Sequence, residues 1–134
     1  MRVLCGCYAA IALAALIATW SQNAAYLGKP ASFVTAFFND LTVTPASRSF
    51  SADLLLLFVT VAILMVIEAR KHAVRFVWVY IIGGLLIAIS VTLPLFLIAR
   101  ELRIDRPTPW RTADVIGLVT LAAGTVAVTV WIML

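Results

Sequence analysis

Hydrophobic positions gather into four long runs, Val3 to Trp20, Leu54 to Ile67, Phe76 to Ile98 and Val115 to Leu134, separated by segments that hold nearly all of the charge. An α-helix needs about 20 apolar residues to cross a bilayer, so the pattern predicts spans over approximately 3–20, 51–68, 76–98 and 112–134. The connection between the first two, about 30 residues, is not uniformly polar. Phe33, Val34, Phe37, Phe38 and Leu41 recur at helical spacing opposite Ser32, Thr35 and Asn39, which predicts a short interfacial helix over approximately 31–41. Pro30 helps to start it, and Asn39-Asp40 followed by Thr44-Pro45 ends it. Trp20 and Tyr26 mark where the first span leaves the bilayer, because amphipathic rings favour the headgroup level. No pair of small residues follows Trp20 at cleavage positions, so the first run is expected to be a retained helix.

Ser51 is placed to cap the second span, with Asp53 in its first turn facing the positive end of the helix dipole. That span closes at Glu68-Ala69-Arg70-Lys71-His72, and the connection through Arg75 is short enough to make spans two and three an antiparallel hairpin. The third span carries Gly83-Gly84 and then Pro94, whose missing N–H leaves the Ser90 carbonyl without its usual donor and predicts a bend. Thr108 as cap and Pro109 as first helical residue announce the fourth.

Composition removes the soluble alternatives. The 134 residues are 64% hydrophobic and only 12% charged, with mean hydropathy +1.11, against roughly a quarter charged in soluble domains. The fold class is therefore an all-α membrane bundle of four transmembrane helices with a short interfacial helix, forming a single membrane domain. The net charge of +4 comes from ten bases lying almost wholly between the apolar runs; it predicts anchoring to membrane lipids and not nucleic-acid binding. A single histidine, His72, lies outside the spans and leaves no bis-histidine haem site. Cys5-Gly6-Cys7 lacks the further ligands of a structural zinc, so neither metal nor cofactor is expected.

Candidate chemistry is sparse. No charged residue occupies the middle third of any span, where coupled transporters need an ionisable group. Asp53 and Glu68 stand 15 residues apart on one helix, about 22 Å, too far for an acid/base dyad. The second helix starts on the membrane side where the third ends, whichever way the protein is inserted. Asn39, Asp40, Arg48 and Asp53 then share one interface with Arg100 and Glu101, and Glu68, Arg70, Lys71 and Arg75 occupy the other. The first cluster is suited to an anionic lipid headgroup, held by Arg48 and Arg100 with Asp53 or Asp40 as proton acceptor, or serves only as helix-terminal and interfacial charge. Small residues recur on helix faces at Ala10, Ala14 and Ala18, at Gly84 and Ala88, and at Ala113, Gly117, Thr120, Gly124 and Ala127, spacings that let helix backbones approach closely.

Phe37-Phe38-Asn39-Asp40, Phe50-Ser51-Ala52-Asp53-Leu54-Leu55, Glu68-Ala69-Arg70, Trp78-Val79-Tyr80 and Leu93-Pro94-Leu95-Phe96-Leu97 followed by Arg100-Glu101 together resemble the bacterial membrane proteins grouped as domain of unknown function 2834. The likeness runs from about Val3 to Leu102. It implies a small three-helix membrane protein, to which this chain adds Trp110 to Leu134 as a fourth helix, and it implies no activity.

Three functions follow from different classes. The first is a noncatalytic membrane subunit or scaffold that packs against partner membrane proteins or copies of itself. The second is a lipid- or isoprenoid-processing enzyme of isomerase or cyclase type, using the Asp40, Asp53, Arg48 and Arg100 cluster. The third is a small-molecule transporter. The expected location is a cell membrane, the bacterial inner membrane, with both termini cytoplasmic. That orientation puts Arg2, Arg70, Lys71 and Arg75 inside but Lys29, Arg48, Arg100, Arg103, Arg106 and Arg111 outside, six bases against four, which runs against the positive-inside rule.

Overall fold

The computed structural model describes residues 2–106 and 109–134, and every regular element among them is helical. Four stretches, Arg2–Tyr26, Pro45–Lys71, Val77–Glu101 and Thr112–Met133, are long and apolar enough to cross a membrane, which makes this a multi-pass membrane protein. The chain forms two compact units, Met1–Ile104 and Asp105–Leu134.

In the first unit, α1 (Arg2–Asn23) runs into a 3₁₀ turn at Ala24–Tyr26. Its less exposed positions include Cys5, Tyr8, Ala12, Ala15 and Thr19, advancing by three and four residues, with Leu4, Ala18, Trp20 and Asn23 beside them. Of the expected small-residue face, Ala10 and Ala14 are exposed and Ala18 is partly buried. An alanine-rich helix offers more than one such stripe, and the neighbours decide which is used. A second 3₁₀ turn at Pro30–Ser32, with Pro30 in its opening position, leads into α2 (Phe33–Asp40), the expected interfacial helix. The Tyr26 ring packs edge-on against Phe33 and Phe37 at centroid distances of 6.0 and 5.8 Å, and its hydroxyl donates to Asp40 Oδ2 at 2.6 Å. The end of α1 is thereby tied to both ends of α2.

Helix α3 (Pro45–Lys71) begins six residues before the expected position at 51. Thr44-Pro45 is its start, not the stop signal of the preceding element. Thr44 Oγ1 accepts from the Ser47 amide, and Ser47 Oγ accepts from the Thr44 amide, each at 3.0 Å. This is a reciprocal capping box, with proline where no N–H is needed. Ser51 therefore caps nothing and donates to the Ser47 carbonyl at 2.7 Å. Asp53 falls in the third turn, beyond reach of the dipole effect, which fades within the first. At the other end the Val74 amide bonds the Ala69 carbonyl at 2.9 Å around a left-handed Ala73, φ 54°. This Schellman stop has alanine where glycine is usual.

The third apolar stretch does not continue as one helix. Helix α4 (Val77–Gly83) widens into a π turn at Gly84–Ala88, Ala88 adopts extended backbone (φ −178°, ψ 138°), and α5 (Ile89–Glu101) then runs back. Tyr80 and Phe96 would stand about 24 Å apart along a straight helix, yet their ring centroids are 5.7 Å apart. Arg100 reaches Glu68, and Arg103 donates to the Ala73 carbonyl, so the end of α5 lies beside the start of α4. The expected bend at Pro94 is thus corrected. The chain reverses six residues earlier, and Pro94 is buried inside α5.

Irregular backbone at membrane depth calls for cover by protein, and the turn is packed on one side, at Gly84, while Leu85, Leu86 and Ile87 are exposed. Gly84 is buried, and a Cβ placed on it would lie 2.9 Å from Ile89 Cδ1, 2.9 Å from Thr92 Oγ1 and 3.2 Å from the Phe58 ring. Buried Thr92 donates to the Ala88 carbonyl at 3.5 Å. Phe58 is the middle residue of α3, so the hairpin reaches about half the depth of that helix. The core lies between the hairpin and the second half of α3, where Met65 and Ala69 pack with Val74, Val77, Ile81 and Phe96. Helix α1 lies along α5 on the other side.

The second unit is α6 (Thr112–Met133), with Asp114 in its first turn. Thr108, the expected cap, lies outside the described residues. Pro109 precedes the helix by three residues and is not its first helical position.

Candidate functional site

The reversal redistributes the charged side chains. Arg100 and Glu101 were expected beside Asn39, Asp40, Arg48 and Asp53, and the structure places them at the other end of α3. Arg100 Nε donates to Glu68 Oε2 at 2.5 Å, and its Nη1 donates to Glu101 Oε1 at 2.8 Å. Asp53 is 15 residues from Glu68 along α3, about 22 Å, so no shared acid/base site with Arg100 exists. The expectation rested on α5 crossing the membrane. Instead α5 runs back along α4, and its end lies beside the start of α4.

The residues left at the first-loop end do not assemble either. Asp40 accepts from Tyr26, and Arg48 Nη1 donates weakly to the Thr42 carbonyl at 3.4 Å. Asn39 uses its backbone carbonyl to accept from the Thr42 hydroxyl at 2.8 Å, and Asp53 is exposed. No ion pair joins these groups among the described residues. A shallow hollow at this end is lined by Tyr26, Lys29, Ser32 and Phe33 among others, with Lys29 the one charged side chain in its lining.

The organised group is therefore Glu68, His72, Arg100 and Glu101. Glu68 and His72 share one face of α3 and its cap, four positions apart, with His72 Nε2 3.3 Å from Glu68 Oε2. That nitrogen is buried and not aligned to hydrogen-bond the carboxylate. The Glu101 side chain is 8% exposed, while those of Glu68 and Arg100 are 17% and 24% exposed. Tyr8 of α1 lies close enough to feel the charges of Glu101 and Arg100. One guanidinium thus satisfies two carboxylates at the open end of the hairpin, in a partly dehydrated setting where leaving either acid alone is costly. Its chemistry is that of a clasp. Glu68, expected at the interface opposite Arg100, is half of the bond that holds α5 to α3.

Beside this clasp the loop from α3 to α4 presents an open hollow of about 500 Å³ lined by Arg70, Arg75, Phe76 and Trp78 among others. No group of three or more His, Cys, Asp or Glu side chains suited to a metal occurs among the described residues. On α6, Ala113, Gly117, Thr120, Gly124 and Ala127 are all exposed, and a Cβ on Gly117 or Gly124 would meet no atom within 4 Å.

A family model described as a protein of unknown function, DUF2834, matches residues 7–102. No curated protein and no solved structure matches the chain. The matched region ends within two residues of the boundary at Ile104 where the first compact unit closes.

Proposed function

Since the chain belongs to the DUF2834 family, whose description carries no activity, we propose from its geometry that it is a noncatalytic membrane subunit that assembles, with a partner membrane protein or with copies of itself, through α6. The observation that supports this is α6 itself: no residue of this 22-residue apolar helix is buried, and a Cβ on Gly117 or Gly124 would meet no atom within 4 Å. Glycine and alanine on one face lower the cost of close helix approach in lipid. The enzyme reading loses its support, because Arg48 and Asp53 are not joined by Arg100. Replacing Gly117 and Gly124 together by leucine raises the hydrophobicity of α6 and keeps insertion favourable. We expect normal membrane levels and an unchanged thermal midpoint, but a smaller assembly in native mass spectrometry. An assembly of unchanged size would remove the support for this function.

The same geometry bears on orientation in the bacterial inner membrane that we propose as its location. With the hairpin returning, Arg2, Arg70, Lys71, Arg75, Arg100 and Arg103 belong to one face of the first unit, and only Lys29 and Arg48 to the other. The positive-inside rule now favours a cytoplasmic amino terminus, reversing the count that opposed it. By chain continuity, α6 then leaves from the cytoplasmic face as the third complete crossing. The carboxyl terminus, expected inside on the assumption of four crossings, is now expected outside. A carboxyl-terminal alkaline phosphatase fusion should be active and the matching green fluorescent fusion dark.

A further inference from the structure

The loop between α3 and α4 has a shape that its length alone does not require. Two of its residues, Ala73 (φ 54°) and Phe76 (φ 59°), sit in the left-handed region, which disfavours any side chain. Arg103 donates to the Ala73 carbonyl and so fastens this conformation to the end of α5. The result is an open hollow of about 500 Å³ with Val74 and Val77 buried at its base and Arg70, Arg75, Phe76 and Trp78 around it.

The charges around it are unbalanced. Glu68 and Glu101 are the acids on this face of the first unit, and both are committed to Arg100. Arg70, Lys71 and Arg75 are exposed and enter no ion pair among the described residues. Phe76 and Trp78, 77% and 58% exposed, stand where α4 enters the apolar layer. Guanidinium groups suit phosphate oxygens by bidentate geometry, and an exposed tryptophan at a helix end suits the boundary between headgroup and acyl chain.

We infer that this hollow binds the headgroup of an anionic glycerophospholipid, with Arg70 and Arg75 on the phosphate and Phe76 and Trp78 against the glycerol and upper acyl chain. A soluble phosphate ester would meet the same guanidinium pair but would leave both rings exposed to water. A lipid uses both halves of the site. The hollow is separate from the α6 face through which assembly is proposed, so either reading can fail without the other.

Native mass spectrometry of the full chain in detergent, titrated separately with phosphatidylglycerol and phosphatidylcholine, tests the site. We expect a first phosphatidylglycerol to be retained in preference to phosphatidylcholine. Arg70→Gln with Arg75→Gln should weaken that first binding by roughly 30-fold, from about 1 kcal/mol per base at a membrane surface, and bring it to the phosphatidylcholine level. Lys29→Gln with Arg48→Gln removes the same charge from the opposite end and should leave the preference intact. A preference that survives the first pair, or falls equally with the second, would overturn the site. Should the first pair not fold, Arg70→Gln and Arg75→Gln singly are read in the same way.

Discussion

Replacing Gly84 with leucine is expected to be the most damaging single change in the first unit, lowering stability by about 3 kcal/mol. Even the first added carbon would sit 2.9 Å from both Ile89 Cδ1 and Thr92 Oγ1 and 3.2 Å from the Phe58 ring. The Ile89 terminus can rotate away. Thr92 has less room, because it is buried and its hydroxyl serves the Ala88 carbonyl. A leucine therefore pushes α5 away from α4 at the point where the chain turns. Gly83 is a graded control: its added carbon would meet only Thr92 Cγ2, at 3.3 Å, so Gly83→Ala should cost under about 1 kcal/mol. Thermal unfolding in detergent with circular dichroism detection separates them. Equal midpoints for Gly84→Leu and the unaltered chain would mean that the tip is not packed as described.

Removing Arg100 is expected to be nearly as severe. Arg100→Gln leaves Glu68 and Glu101 facing each other without their shared cation, and Glu101 is 6% exposed. Breaking a buried pair by deleting one member costs about 3–5 kcal/mol, and partial exposure of Arg100 and Glu68 lowers the expectation to about 2–3 kcal/mol. Adding Glu68→Gln should return about 1 kcal/mol or more, because neutralising one of the stranded acids relieves the repulsion, a coupling that a double-mutant cycle reads directly. Arg100→Lys should recover only part of the loss, since an ammonium does not span two carboxylates as Nε and Nη1 do. Additive midpoint shifts for the two glutamine variants would show that the groups act independently and that no clasp exists.

The membrane class, the apolar runs and the interfacial helix at Phe33–Asp40 were legible because each rests on composition or on spacing within one segment. Boundaries were less legible where one residue pair supports two readings. Thr44-Pro45 stops a helix by proline's missing N–H and starts one by the same property, and only the reciprocal bonds with Ser47 decide between them. The hairpin was hidden for a deeper reason. Leu85, Leu86 and Ile87 at its tip are exposed, so their environment calls for the same apolar side chains that a crossing helix needs, and hydropathy does not tell the two apart. Two signals were present. One was Gly83-Gly84 with Pro94, a helix interrupted twice in 12 residues. The other was the six-against-four excess of bases on the wrong face, a conflict that disappears when Arg100 and Arg103 return to the side of Arg70. The candidate site inherited the error, since Asp53 and Arg100 share a face only if α5 crosses.

The reversal at Ala88 is the feature on which the clasp, the orientation and the lipid hollow all depend, and a distance measurement addresses it. Spin labels on cysteines replacing Phe76 and Leu102, both exposed, with Cys5 and Cys7 changed to serine, can be measured by pulsed electron resonance in nanodiscs. Packed neighbouring helices lie 8–10 Å apart, so a returning hairpin predicts a distribution centred at about 20 Å or less. A continuous helix would separate the same 26 positions by about 39 Å, and a distribution centred there would contradict the fold from Gly84 onward.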